Sequence, residues 1–173
     1  MKLVVAISGA SGIELGKKFI DHLPKEIEVH LITTENALTV NHFENKNVTF
    51  HDNTNIAASI SSGSFQVDMT VVIPCSMNTL AKIACGIADN LVTRVAAVAL
   101  KEQKKLLLAP REMPFSAIAL ENMEKLAKLN VIIAPPVLGY YSESSTIEEM
   151  EHFIIGKWYD VLGIKNNLYK RWS

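Results

Sequence analysis

Arg111 and Glu112 stand between two prolines, Pro110 and Pro114, directly after the apolar run at residues 106–109. Surface turns are more often built from Gly, Ser and Asn. A cation and a carboxylate in a proline-stiffened turn can hold an anion and move a proton. A solvated ion pair at a helix entry is the plainer reading of the same residues.

Other stretches carry complementary chemistry. "GASG" at positions 9–12 offers a backbone that a ligand can approach closely, with the Ser11 hydroxyl as helix cap or phosphate donor. An ordinary Gly-rich turn is the alternative. The dinucleotide fingerprint is excluded, because Gly9, Gly12 and Gly16 are spaced three and four apart. "PCSMNT" at 74–79 presents Ser76, Asn78 and Thr79 to a phosphate or a polar ring edge, or simply caps a helix through Ser76. "YYSESS" at 140–145 offers two phenols and a helix start at Ser145 or Thr146, with Glu148 and Glu149 in the first turn. Cys75 reads as a small core filler, since no His or cation adjoins it in sequence. The five histidines show no metal-ligand spacing. "KEQKK" at 101–105 reads as a solvated helix end from which one lysine can turn inward.

The elements that must position these residues are legible in the periodicity. Apolar runs at 3–8, 28–33, 70–74, 105–109 and 131–134 are continuous rather than alternating, as in strands buried on both faces. Helical spacing is predicted over 11–23, 77–85, 90–101, 115–129 and 147–162. Strand and helix in alternation predict a doubly wound α/β sheet, with ligands at the carboxyl ends of the strands. All five strand ends carry small, hydroxyl, charged or proline residues, so that edge reads as a site.

The totals bound the class. At 173 residues, one domain spanning 1–173 is expected. The apolar fraction is 49% and mean hydropathy is +0.17, which suggests extra apolar surface covered between subunits. A formal net charge of -1 argues against nucleic acid. Two cysteines do not make a disulfide framework, and no run is long enough to span a membrane, so a cytoplasmic setting is expected.

Taken in order, "ISGASG", "PCSMNTLAKIACGIADNLVTRVAAVALKE", "LLLAPREMPFSAIALENM", "APPVLGYYS" and the terminal "RW" resemble the UbiX-type (Pad-type) flavin prenyltransferases. The resemblance covers residues 2–172, and "APREMP" followed by "ALENM" is its most specific part. It implies a Rossmann-like, flavodoxin-like three-layer sandwich with a mainly parallel sheet. It also implies metal-independent transfer of a dimethylallyl group from dimethylallyl phosphate to reduced FMN. The product would serve a UbiD-type decarboxylase, and the subunits would assemble as trimers into a dodecamer.

Carried over by residue, the resemblance implies FMN contacts at Gly9, Ala10, Ser11, Thr34, Ser76, Met77, Asn78, Thr79, Arg94 and Arg111. Lys101, Tyr141 and Lys157 would serve the prenyl phosphate, Arg94 would adjoin that pocket, and Glu44 and Glu112 would handle protons, with Lys101 also counted as catalytic. Lys157 stands where the family usually has arginine. Cations suit this chemistry because a phosphate ester leaves badly unless its charge is absorbed. Two alternatives stay open. One is an FMN-dependent cysteine decarboxylase of the phosphopantothenoylcysteine type, although residues 52–74 lack the histidine such a family uses. The other is a non-catalytic FMN-binding subunit.

Overall fold

In a computed structural model of the chain, residues 1–9, 12–34, 43, 47–142 and 144–171 are described. They form strands β1 (Lys2–Ile7), β2 (Glu28–Thr33), β3 (Val48–Asp52), β4 (Met69–Cys75), β5 (Lys105–Pro110) and β6 (Ile132–Ile133). Helices α1 (Ile13–Asp21), α2 (Met77–Ala84), α3 (Leu91–Lys101), α4 (Ala117–Lys128) and α5 (Ile147–Leu162) connect and cover them. Among the described residues the sheet has the order β3-β2-β1-β4-β5-β6, and every pairing is parallel. This is the doubly wound α/β architecture, with its switch point between β1 and β4.

The continuous apolar strands are explained by a core on each face. On β1, Leu3, Val5 and Ile7 pack with Phe19 and Ile20 of α1 and with Ile155, Trp158 and Tyr159 of α5. Val4 and Ala6 face the other way, against Leu80 of α2, Leu91 and Val95 of α3 and Leu126 of α4. Burying each large aliphatic side chain contributes about 1.5–3 kcal/mol. The Tyr159 hydroxyl donates to the Phe19 carbonyl oxygen, which satisfies a phenol whose pKa burial pushes up.

Strand β3 is an addition to the sequence reading. Thr49, Phe50 and Asp52 are exposed while Val48 and His51 are half-buried, so this edge strand lacks the continuous apolar run of its neighbours. Helix α1 begins two residues later than predicted, with Gly12 rather than Ser11 at the N-cap. Pro74 lies inside a central strand, where it would normally remove a ladder bond. The register shift between Val72 and Cys75 accommodates it. No helix among the described residues is long and apolar enough to cross a membrane.

Candidate active site

At the switch point the chain leaves β1 for α1 on one face and leaves β4 for α2 on the other. Ser8 ties the two strand ends together. It is buried, its N–H donates to the Pro74 carbonyl at 3.1 Å, and its Oγ accepts from the Ser76 N–H at 3.1 Å. Gly9 follows, and a Cβ built on it would lie 3.6 Å from Ser76 Cβ. Gly12 has φ +93°, a left-handed conformation that favours glycine. A Cβ there would lie 3.5 Å from Pro74 Cγ and 3.9 Å from Arg111 Cδ. A β-carbon at either glycine would thus just touch its neighbours, so the ends of β1, β4 and β5 converge here. The Thr34 N–H donates to the Ile7 carbonyl at 3.3 Å, which brings the end of β2 beside them.

Ser76 caps α2 as expected. Its Oγ accepts from the Thr79 N–H at 3.2 Å and donates to Thr79 Oγ1 at 2.9 Å. Met77 and Thr79 are half-buried beside exposed Asn78 at this helix start, where the dipole favours an anion. Cys75 is buried, and burial pushes its thiol up to about 12, so it is no thiolate nucleophile at neutral pH.

Arg111 and Glu112 do not pair with each other. Glu112 turns back so that Oε1 accepts the Met113 N–H at 3.1 Å, while the Arg111 side chain runs past Gly12. Arg111 makes no ion pair among the described residues, and its side chain lies beside the crevice at Gly12. Arg94 and Lys157 are likewise exposed, on α3 and α5. Tyr141, in the turn Tyr140–Ser142 after β6, is exposed with its ring edge-on to Phe153 at 5.5 Å.

Lys101 is not brought to this crevice. It ends α3, only four residues before β5 begins, and so lies at the amino edge of the sheet, paired with Glu102 at 2.7 Å. Glu102 packs on Gly63, and the Gly63–Phe65 turn is tied to Lys2 at the start of β1. Ala10, Ser11 and Glu44 lie outside the described residues. Ser8 was missed in sequence because it closes an apolar run. A hydroxyl at the first position past a strand, beside a glycine turn, is the signal that would have found it.

The residues present fit a flavin phosphate. Side chains at Gly9 and Gly12 would narrow the cradle between the loops, the start of α2 supplies N–H groups and hydroxyls, and Arg111 supplies positive charge. The described residues offer no cluster of His, Cys, Asp and Glu that would hold a metal ion.

Comparison with known proteins agrees with this geometry. The Flavoprotein family matches residues 1–159. The flavin prenyltransferase UbiX of Helicobacter pylori strain J99 is 50% identical, over all of this chain and 99% of its own. A dodecameric FMN-dependent UbiX-like decarboxylase from Escherichia coli O157:H7 superposes with a TM-score of 0.93 at 38% identity, covering both chains completely. AnUbiX, solved in complex with FMN and dimethylallyl pyrophosphate, superposes with a TM-score of 0.92 at 34% identity, over 99% of this chain and 97% of its own. Strand order, switch-point crevice and full-length similarity lead to one assignment: the chain belongs to the UbiX-type flavin prenyltransferases.

Proposed function

We propose that this chain, as a single flavoprotein unit over residues 1–173, binds FMN in the switch-point crevice and transfers a dimethylallyl group from its phosphate ester to the reduced flavin. The observation that carries this reading is the meeting of Gly12, Pro74 and Arg111 at the switch point, in a chain similar end to end to an enzyme solved with FMN and dimethylallyl pyrophosphate. Reduced FMN, when bound, supplies the electron-rich ring that accepts the prenyl group.

The residues divide the remaining work. Gly9 and Gly12 leave space for the flavin phosphate, while Ser76 and Thr79 orient it from the start of α2. Ala10, Ser11, Thr34, Met77 and Asn78 complete the cofactor contacts, and Arg111 and Arg94 balance its charge. Transfer breaks the carbon–oxygen bond of the ester, and the phosphate departs with the electron pair. Lys157, Lys101 and the Tyr141 hydroxyl stabilise that charge, an electrostatic effect commonly worth about a hundredfold or more in rate. Glu112, Glu44 or the departing phosphate would take up and return the protons that the transfer moves.

Lys101 and Tyr141 sit at opposite edges of one chain, so a site using both is shared between subunits of a homo-oligomer. The dodecamer formed by the E. coli protein supplies a pattern for that sharing. The product is passed to a UbiD-type decarboxylase in the cytoplasm. The test is anaerobic incubation with reduced FMN and either dimethylallyl phosphate or the diphosphate, followed by mass spectrometry of the extracted flavin. A prenylated flavin supports the reading and identifies the donor. Unmodified FMN in both arms overturns it.

A further inference from the structure

After α5 the chain folds back along the helix and closes on one carboxylate. Asp160 Oδ1 accepts from Arg171 Nη2 at 2.8 Å and from Asn166 Nδ2 at 3.0 Å. Its Oδ2 accepts from the Tyr169 hydroxyl at 2.5 Å and from Arg171 Nη1 at 3.1 Å. Arg171 grips the carboxylate with both ends of its fork, and its guanidinium lies 5.3 Å from the centre of the Tyr169 ring. These bonds, Arg171 first, hold the Asp160 carboxyl below its usual range.

The clasp reaches the site through rings. Tyr169 packs on α5 at Gly156, where a Cβ would collide with its ring edge. It packs edge-on against Phe153 at 5.2 Å, and Phe153 packs edge-on against Tyr141 at 5.5 Å. Ser142 closes the same turn on the Gly139 carbonyl, and Gly139 itself packs on the Phe153 ring, so Phe153 is the platform for the Tyr141 segment. Val137, Leu138, Tyr140 and Tyr141 are exposed, and the preceding strand β6 has only two residues. Gly156 also directly precedes Lys157 on α5, so the tail packs on the same helix turn that carries one of the other groups assigned to the prenyl phosphate.

We propose that Asp160 is a positioning residue for the prenyl-phosphate side of the site, acting on Tyr141 through Tyr169 and Phe153. This rests on the functional reading above, in which Tyr141 faces the phosphate. A phenol contributes only while its hydroxyl is aimed, and misplacement by about 1 Å can lose up to a hundredfold in rate. Asp160 touches no reacting atom. Its effect is on where the Tyr141 ring stands.

The experiment uses the full chain with reduced FMN and the donor accepted by the parent. Asp160→Ala and Tyr169→Ala should each raise the half-saturating donor concentration about tenfold, with FMN affinity and oligomer mass unchanged. Asp160→Glu should recover most of the loss, and Tyr169→Phe, which keeps the ring on Phe153, should show a smaller change. A fluorotyrosine placed at position 141 should shift its fluorine resonance in Asp160→Ala and return toward the parent in Asp160→Glu. Parent-like donor saturation in both alanine variants overturns the proposal, as does a parallel loss of FMN affinity. If the alanine variants do not fold, the milder Tyr169→Phe decides, and an unmoved fluorine resonance there overturns the proposal. A parent that forms no prenylated flavin sinks the functional reading instead, and the fluorine signal still decides whether Asp160 sets the Tyr141 ring.

Discussion

Gly16 of α1 sits so close to β4 that a Cβ on it would lie 2.6 Å from the Ile73 carbonyl oxygen and 3.1 Å from Ile7 Cδ1. A backbone carbonyl cannot swing aside as a side-chain tip can. Gly16→Ala would gain up to about 1 kcal/mol of helix propensity. Forcing α1 off the sheet should outweigh that and destabilise the fold by about 1–3 kcal/mol. Because the same helix begins at Gly12, FMN affinity should fall as well. Urea unfolding with a flavin titration checks both, and an alanine variant as stable as the parent would contradict the contact.

Ser8 supplies the acceptor for the Ser76 N–H across the switch point. Ser8→Ala leaves that donor without its partner, at about 1–3 kcal/mol, and loosens the start of α2. Flavin binding should weaken several-fold, whereas Ser8→Thr should retain it. Thermal unfolding and fluorescence titration of FMN measure the two effects.

His51 predicts a pH dependence of stability. Burial first, then the charge of His30, lowers its pKa from the ordinary value of 6.5. His30 Nδ1 and His51 Nε2 are 3.0 Å apart, His30 Nε2 lies 3.0 Å from Glu28 Oε1, and Phe65 packs edge-on to His30. One proton fits between the two rings, but two would set N–H against N–H. With the folded value depressed, the unfolded chain binds more protons as pH falls below about 6.5, so stability drops in that direction. The unfolding midpoint should decline between about pH 7.5 and 5.5, and His51→Asn should flatten that decline. An equal slope in the variant would locate the titration elsewhere.

Lys101 at the amino edge and Tyr141 at the carboxyl edge make a shared site testable by mixing. Lys101→Ala and Tyr141→Phe should each be strongly impaired alone. Co-assembled in equal amounts, they should recover about a quarter of parental activity, because some sites then draw both intact residues from different copies. No recovery in verified mixed oligomers would mean that each chain builds its own site.

Lys157 is exposed on α5 with no ion pair among the described residues. Lys157→Met should raise the half-saturating donor concentration about tenfold and leave FMN affinity intact, while Lys157→Arg should keep or improve turnover. Saturation curves with the parental midpoint in the methionine variant would remove this lysine from the phosphate pocket.

The buried parallel strands were legible because their residues face a core on both sides, and all five predicted strands match within one residue at each end. The fifth, β6, shrinks to Ile132–Ile133 because Val131 closes the turn of α4 by donating to Leu126. Strand β3 was not legible, since Thr49 and Phe50 face outward at the sheet edge and break the apolar run. The caps Ser76 and Thr146 were legible because capping needs only a hydroxyl and an N–H three residues on. The Asp160 clasp was not, because it joins residues whose meeting depends on the chain reversing after Gly163. The failure of Arg111 to pair with Glu112 was equally hidden. Adjacent opposite charges suggest a bond, but the carboxylate found a nearer backbone donor.

The position of Cys75 also governs how the chain meets thiol reagents. Reagents attack thiolates, and a buried thiol held protonated offers neither the anion nor an approach path. Cys85, exposed at the end of α2, is the thiol that an alkylating agent reaches first. Native protein should therefore take up one thiol label per chain and unfolded protein two, so the second label reports directly on the opening of β4.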